Sequence, residues 1–185
     1  MLKPPLPYRL REMRLADVPA VMKIEKQAFP KPWRASAYEY EITRNQLASY
    51  QALSCQLGDK RSELIGYAGH WFMAEEIHIS TIAVHPKWRG RKLGELLFLN
   101  SLLLAFEYKR PSAALVTLEV RRSNIVAQNL YRKYRFEIVG ERKRYYQGNE
   151  DALIMTIEPL DQNYRDFLKQ QWAALHKTLA QTHSK

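Results

Sequence analysis

Three features of this sequence combine residue types that move protons or hold anions: a basic glycine loop, a carboxylate inside an apolar strand-like run, and a tyrosine on a helix-like segment. The loop is Arg89-Gly90-Arg91-Lys92-Leu93-Gly94. Its glycines let backbone approach a ligand, and the segment that follows would point unpaired N–H groups and a positive dipole end toward it. A pyrophosphate fits such a loop, and a solvated strand-to-helix turn fits it as well. Glu119 lies among Val116, Leu118 and Val120, and period-two alternation puts it on the opposite face from all three. A charged residue there sits on an exposed face, or pairs with Arg121 or another cation, or serves chemistry. Tyr131 reads as amphipathic packing or as a phenolic proton donor. His78 titrates in the useful range and is an alternative base. Glu75 and Glu76 read as a solvated strand end or as an attraction for a cationic acceptor. Cys55, the single cysteine, sits in the alternating run Tyr50 to Leu57 and reads as a small packed residue rather than a thiol nucleophile.

The elements that must position these groups follow from periodicity. Tyr8 to Arg14 predicts a strand, and Val18, Val21, Ile24 and Ala28 share one face of a helix over Asp17 to Phe29 that Asp17 can cap. Pro30-Lys31-Pro32-Trp33 forces a loop before a short helix near Ser36 to Arg44. Strands are expected at Tyr50 to Leu57 and Glu63 to Met73, joined through Gly58-Asp59-Lys60-Arg61. Ile77 to Val84 is a β-branched strand that runs through the basic loop into an apolar helix over Glu95 to Tyr108. Ala114 to Val120 predicts a strand and Asn124 to Tyr134 a helix capped by Asn124 or Ser123. Strands at Phe136 to Tyr146 and Ala152 to Ile157, turning at Gln147-Gly148-Asn149-Glu150, complete the set. Hairpins mixed with βαβ crossovers imply an α/β (or α+β) fold: a mixed, mostly antiparallel sheet of about six or seven strands with helices on both faces. The expected division is a domain over 1–160 and a helical extension over 161–185, whose Tyr164, Phe167, Leu168, Trp172, Leu175 and Leu179 are spaced to pack on the domain or on a partner.

A chain of 185 residues is long enough for one core that buries roughly 70% of the unfolded surface. The net charge of +10 suits an anionic ligand, with nucleic acid, a polyphosphate cofactor and an acidic membrane all compatible with the sign alone. No apolar run reaches the ~20 residues of a membrane span, and the opening MLKPPLPYR has prolines where a signal peptide would be apolar. One cysteine rules out an intrachain disulfide. A reducing, cytoplasmic setting is expected, without membrane or DNA partners and without a metal.

Several separated stretches carry a family resemblance. Ser80-Thr81-Ile82-Ala83-Val84-His85-Pro86 before the basic loop looks like the central motif of the GNAT acetyltransferases. Leu118-Glu119-Val120-Arg121-Arg122-Ser123-Asn124, Ala127 to Leu130-Tyr131, Tyr134-Arg135-Phe136, Arg144-Tyr145-Tyr146 and Asp151-Ala152-Leu153-Ile154-Met155 resemble the RimI type, the ribosomal-protein alanine N-acetyltransferases. The likeness spans about residues 8 to 158. It implies acetyl-CoA as cosubstrate, with backbone of Ile82, Ala83 and Val84 on the pantetheine arm, Arg89, Gly90, Arg91, Lys92, Leu93, Gly94 and Glu95 around the pyrophosphate, and Asn124 on the cofactor. It further implies Glu119 as general base, Tyr131 as the acid toward the leaving thiolate, and Trp33 and Tyr145 on the peptide side. Lys92 departs from the family, which has a glycine there. Its Cβ is expected to crowd the diphosphate and its ammonium to compensate.

The implied reaction is direct transfer to a protein N-terminal α-amine in a ternary complex, the acceptor being the N-terminal alanine of a small-subunit ribosomal protein. An amine of pKa near ~8 is mostly ammonium at neutral pH, so a base is needed. Either burial raises Glu119 above the ordinary carboxylate value of ~4.3, or it works through water. Broader N-termini, a lysine or a small amine are alternative acceptors, and a non-catalytic module binding RNA or a ribosome is the alternative outside enzymology.

Overall fold

The β-branched and aromatic runs form seven strands: β1 Tyr8–Glu12, β2 Ala48–Gln56, β3 Ser62–Met73, β4 Glu76–Val84, β5 Leu115–Arg121, β6 Glu137–Tyr146 and β7 Glu150–Ile157. The helices are α1 Val18–Ala28, α2 Ala35–Thr43, α3 Leu93–Ala105, α4 Ile125–Lys133 and α5 Gln162–Gln181. This computed structural model describes residues 1–59, 61–107, 114–146 and 149–181. Lys60 of the first expected turn, Tyr108 at the expected end of the apolar helix, Gln147 and Gly148 of the second turn, and residues 182–185 of the tail lie outside the described residues.

The strands join in one sheet of order β1-β2-β3-β4-β5-β7-β6. Neighbours are antiparallel except β4 and β5, which run parallel as the crossover through α3 requires. Helices α1 and α2 cover one face, with Val18, Val21, Ile24 and Tyr38 packed on Tyr50, Ala52, Tyr67 and Ala83. The other face meets α3, α4 and α5. There Leu96, Leu97, Phe98 and Leu102 pack on Ile65, Ile77, Val116 and Leu118. None of the helices among the described residues is long and apolar enough to cross a membrane.

Helix α3 is buried almost all round because the sheet lies on one side and α5 on the other. The two polar interruptions in its apolar run are satisfied rather than exposed. Asn100 Nδ2 donates to Gln51 Oε1 at 2.6 Å and Asn100 Oδ1 accepts from the Leu2 N–H at 2.7 Å, while Gln51 Nε2 donates to Ser101 Oγ at 2.6 Å. The tail packs back: Tyr164, Leu168, Leu175 and Leu179 of α5 are buried in the α3-side core, and the Tyr164 hydroxyl donates to the Tyr134 carbonyl at 2.9 Å. Cys55 is buried in the same core.

Asp17 does not cap α1 with its side chain. A 3₁₀ turn, Leu15–Asp17, intervenes, and the Asp17 carboxylate accepts instead from the Arg14 N–H at 2.8 Å and from the Arg11 guanidinium at 2.6 and 2.7 Å. Those two partners hold its carboxyl below the usual range, the Arg11 hydrogen bonds most of all.

A buried carboxylate anchors the α1 side. Glu25 is 2% exposed and forms no ion pair among the described residues; its Oε1 accepts from Tyr38 (2.7 Å) and Tyr67, and its Oε2 from the main-chain N–H of Trp33 at 2.8 Å. Burial, aided by neighbouring oxygens, pushes both phenols far above their ordinary value, so they stay protonated donors. One side chain of α1 thereby ties down α2, β3 and the proline loop. Glu25→Gln replaces an acceptor with a donor against these hydroxyls. A loss of about 1–3 kcal/mol in urea unfolding is expected, with the tryptophan fluorescence of the folded state altered at Trp33.

His70 of β3 is fully buried against Phe72, ring centroids 5.0 Å apart, and neither ring nitrogen has a hydrogen-bond partner among the described residues. Burial pushes its pKa down to about 4. The unfolded chain protonates it near pH 6.5 while the native state does not, so stability falls as pH drops from about 6.5 to about 4. His70→Leu should remove roughly 3 kcal/mol of that acid sensitivity, read as a flatter plot of unfolding free energy against pH.

Candidate active site

The site forms where the sheet comes apart. The β4–β5 ladder runs from Glu76↔Leu115 to Ile79↔Leu118 and stops, although β4 continues to Val84 and β5 to Arg121. On the other side of β4 the pairing jumps from His70↔Ile79 to Gly69↔Thr81, leaving Ser80 as an extra residue in a bulge. The bulge bends β4 away from β5 at the residue where their pairing ends. A cavity of about 450 Å³ opens between them, floored by His78 to Ile82 and Leu118 to Arg121. Trp33, Trp71, Asn124, Tyr131, Tyr145 and Tyr146 are among the residues of its walls, with Glu25 and the segment 28–31 beside them.

Glu119 stands on the face opposite Val116, Leu118 and Val120, as alternation requires, and its side chain is only 8% exposed. His78 Nε2 lies 3.0 Å from Glu119 Oε2, and Arg142 Nη2, reaching from β6, lies 3.2 Å from Oε1. The hydrogen bond with His78 holds the Glu119 carboxyl below its ordinary range; burial pushes the other way, and the charges of His78 and Arg142 add to the lowering. Of the two routes open from the sequence, the raised carboxyl is therefore not the one built here. Arg121, the pairing partner expected from sequence, turns elsewhere: Nη1 donates to Glu150 Oε2 at 2.7 Å and the guanidinium lies over the Tyr146 ring, 4.0 Å from its centroid. The Tyr146 hydroxyl donates to the Glu119 carbonyl at 3.2 Å, fixing the strand from the side of β6.

Tyr131 reaches the cavity from α4, its ring packed on Phe98 at 4.9 Å and Phe136 at 6.2 Å. Burial raises its phenol well above the ordinary value, so it is a protonated donor throughout the neutral range. Asn124 lines the cavity and also caps α4, its Oδ1 accepting from the Ala127 N–H at 3.2 Å. The two readings of Asn124 are compatible.

At the far end of β4 the basic loop makes its turn with Gly90 at φ 77° and Lys92 at φ 63°, ψ 9°. Lys92 is the N-cap of α3 in the left-handed conformation, which explains why glycine is the natural occupant. A lysine there costs roughly 1–2 kcal/mol of backbone strain. Its ammonium recovers part of this by lying 3.5 Å from Glu95 Oε2. The first-turn N–H groups of α3 point out of this turn, and a Cβ built on Gly90 would meet nothing within 4 Å. An open turn, free amides and cations suit a pyrophosphate, so the residues present fit acetyl-CoA.

Three side chains of the loop contact the protein instead. Glu95 is 5% exposed and turns inward to Lys133 and to the Tyr134 hydroxyl at 3.0 Å, which leaves only its backbone for a ligand. Arg89 Nε donates to the Val84 carbonyl at 3.3 Å, and Arg91 lies over the Trp88 ring at 4.7 Å. Ala83 and Val84 are core side chains, and Ile82 alone of the three lines the cavity.

Trp33 and Tyr145 both reach the cavity, Trp33 held by Glu25 and Tyr145 half-exposed beside Arg142. Glu75 lies in the turn before β4, where its carbonyl accepts from the Ala114 N–H at 2.7 Å. The roles of Glu25, Trp71, Arg142 and Tyr146 were not legible beforehand. Glu25 reads as one more polar position on an amphipathic helix, and Arg142 as one of three consecutive cations. A carboxylate set directly beneath Val21 and Ile24 on the apolar side was the one available signal.

Comparison with known proteins bears on this geometry. The family model described as the Acetyltransferase (GNAT) family matches residues 18–136. A Bacillus subtilis protein named putative ribosomal protein bS18-alanine N-acetyltransferase is 39% identical over 149 residues, covering 80% of this chain and 93% of its own length. The Escherichia coli K12 ribosomal protein bS18-alanine N-acetyltransferase is 30% identical over 151 residues, 80% of this chain and 95% of that protein. The crystal structure of the Escherichia coli ribosomal-protein-S18-alanine N-acetyltransferase superposes with a TM-score of 0.68 at 26% identity, covering 82% of this chain and 94% of that one. Arabidopsis thaliana NAA60 in complex with acetyl-CoA shares the fold, with a TM-score of 0.73 at 18% identity over 82% of this chain and 98% of its own. With its parted strands, open basic turn and family match in agreement, this chain belongs to the GNAT family of acetyltransferases, enzymes that take their acetyl group from acetyl-CoA.

Proposed function

We propose that the protein acetylates the α-amine of a protein N-terminus, with the N-terminal alanine of a small-subunit ribosomal protein as its acceptor. The observation behind this reading is a buried carboxylate, Glu119, set in the cleft between the parted strands with a protonated phenol, Tyr131, lining the same cavity. The names of the Bacillus subtilis and Escherichia coli relatives support the acceptor.

In this mechanism the acceptor amine enters past Trp33 and Tyr145 and attacks the acetyl carbonyl directly, without an acyl-enzyme. Glu119, on the acceptor side, draws the proton from the ammonium. Because its carboxyl is held low, it passes that proton on rather than storing it. Backbone N–H groups of Ser80 to Val84 that face the gap left by β5 polarise the carbonyl oxygen. Tyr131 donates to the departing thiolate sulfur. Orientation of two substrates in one cleft supplies the larger share of the acceleration, and acid–base help adds roughly 10²–10⁴-fold.

The relevant assay incubates the protein with acetyl-CoA and peptides beginning with Ala, Ser or Met, or carrying Lys behind a blocked terminus, and reads the mass of one acetyl group. Addition confined to the N-terminal alanine peptide is expected. Addition to several N-termini would broaden the acceptor, and addition to the lysine side chain would overturn the α-amine assignment. Glu119→Gln should lower kcat by roughly 10²–10⁴-fold and Tyr131→Phe by roughly 10–10²-fold, with the Kd for acetyl-CoA within about twofold in both. Full activity in either variant removes that assignment.

A further inference from the structure

The geometry points to the C-terminal helix as part of the cofactor site: α5, acting through Tyr164 and Tyr134, keeps the Glu95 carboxylate turned away from the amides at the start of α3, so that an anion can take them. The inference concerns the turn that fits acetyl-CoA and is independent of which amine accepts the acetyl group. Glu95 is the third residue of α3, the position from which a glutamate ordinarily reaches back to the N–H at the start of its own helix. Lys92, the residue before the helix, makes no side-chain cap there, and Glu95 is the acidic residue of the first turn. A carboxylate seated on those amides would occupy the donors that a pyrophosphate needs and would repel its charge.

The carboxylate is held elsewhere. Glu95 is 5% exposed; its Oε1 accepts from the Tyr134 hydroxyl at 3.0 Å and pairs with the Lys133 ammonium, and its Oε2 lies 3.5 Å from Lys92 Nζ. Tyr134 closes α4, so its carbonyl lies where no donor of its own helix reaches it. That carbonyl accepts from the Tyr164 hydroxyl of α5 at 2.9 Å in a buried contact. Phe167, one turn along α5, stacks on Tyr164 with centroids 5.9 Å apart, meets the Tyr134 ring edge-on at 6.3 Å, and lies 4.0 Å beneath the Arg135 guanidinium. Burial raises both phenols above their ordinary value, so both remain donors. Two hydroxyls thus link α5 to α4, and α4 to the first turn of α3. Phenylalanine at either position would bury much the same apolar surface, so the hydroxyls serve the contacts they make.

The test is calorimetric titration of acetyl-CoA into wild type, Tyr134→Phe, Tyr164→Phe, Glu95→Ala and the double variant Tyr134→Phe/Glu95→Ala. Each phenylalanine variant should raise Kd by about fivefold, the weight of one cap hydrogen bond. Glu95→Ala should bind at least as tightly as wild type, and adding it to Tyr134→Phe should restore the wild-type Kd, which a merely loosened fold would not do. In ligand-free Tyr134→Phe the amide exchange of Lys92 should slow, because the released carboxylate takes up its N–H. Leu179→Ala, a core truncation at the far end of α5, should lower Tm by roughly 5–15 °C and leave Kd within about twofold, which separates the two hydroxyl contacts from general stability. An unchanged Kd in Tyr134→Phe, a double variant that stays weak, or a Leu179→Ala protein that loses as much affinity as Tyr134→Phe overturns the inference. Each of these outcomes leaves the proposed function standing.

Discussion

Two parallel strands that stop pairing partway along their length set the terms for the rest of this molecule. Inside a sheet, backbone N–H and C=O groups are obliged to find partners, and β4 beyond Ile79 has none from β5. Those groups are tolerable only because the gap is open to water or to a ligand that replaces the missing strand. The Ser80 bulge makes the divergence a property of the backbone rather than a slack in packing. Glu119 and His78 then flank the gap from adjacent strands, Tyr131 lines it from α4, and the turn into α3 lies at its far end.

Three carboxylates show how differently one residue type is handled once it is out of water. Glu25 is buried and satisfied by two phenols and a backbone amide, which makes it a structural tie between three elements. Glu95 is buried beneath the ammonium groups of Lys92 and Lys133 and helps hold the turn into α3. Glu119 lies between a titratable imidazole and a guanidinium at the edge of a cavity. Of the three, it is the one whose named partners include an imidazole.

Lys92 illustrates a departure from a family pattern that the fold absorbs. A glycine at this position would supply a left-handed turn freely, and the lysine adopts that turn at φ 63°, under some strain. Its side chain leaves toward Glu95, so the open space over Gly90 is kept and a cation is added near the place where phosphates would lie.

Local pattern alone determined a good deal of this protein. Period-two alternation put Glu119 on the face away from Val116, Leu118 and Val120, the apolar stripe of α5 marked it as a helix that packs on the domain or on a partner, and the order of hairpins and crossovers led to a mixed sheet with helices on both faces. Those features depend on neighbours in the chain, which a sequence displays. Several others were left to the tertiary structure. Which cation would meet Glu119 was one: Arg121 is two residues away but turns toward Glu150, and Arg142 arrives from two strands across because the β5-β7-β6 order brings it there. The direction of the Glu119 titration was another, since it balances burial against two partners far apart in sequence. The Asp17 cap was replaced by bonds to Arg11 and to the Arg14 N–H, because a 3₁₀ turn precedes α1 and both partners lie ahead of it in the chain. Glu25 stayed hidden because nothing adjacent to it in the chain reports that Tyr38, Tyr67 and the Trp33 amide will converge on its carboxylate.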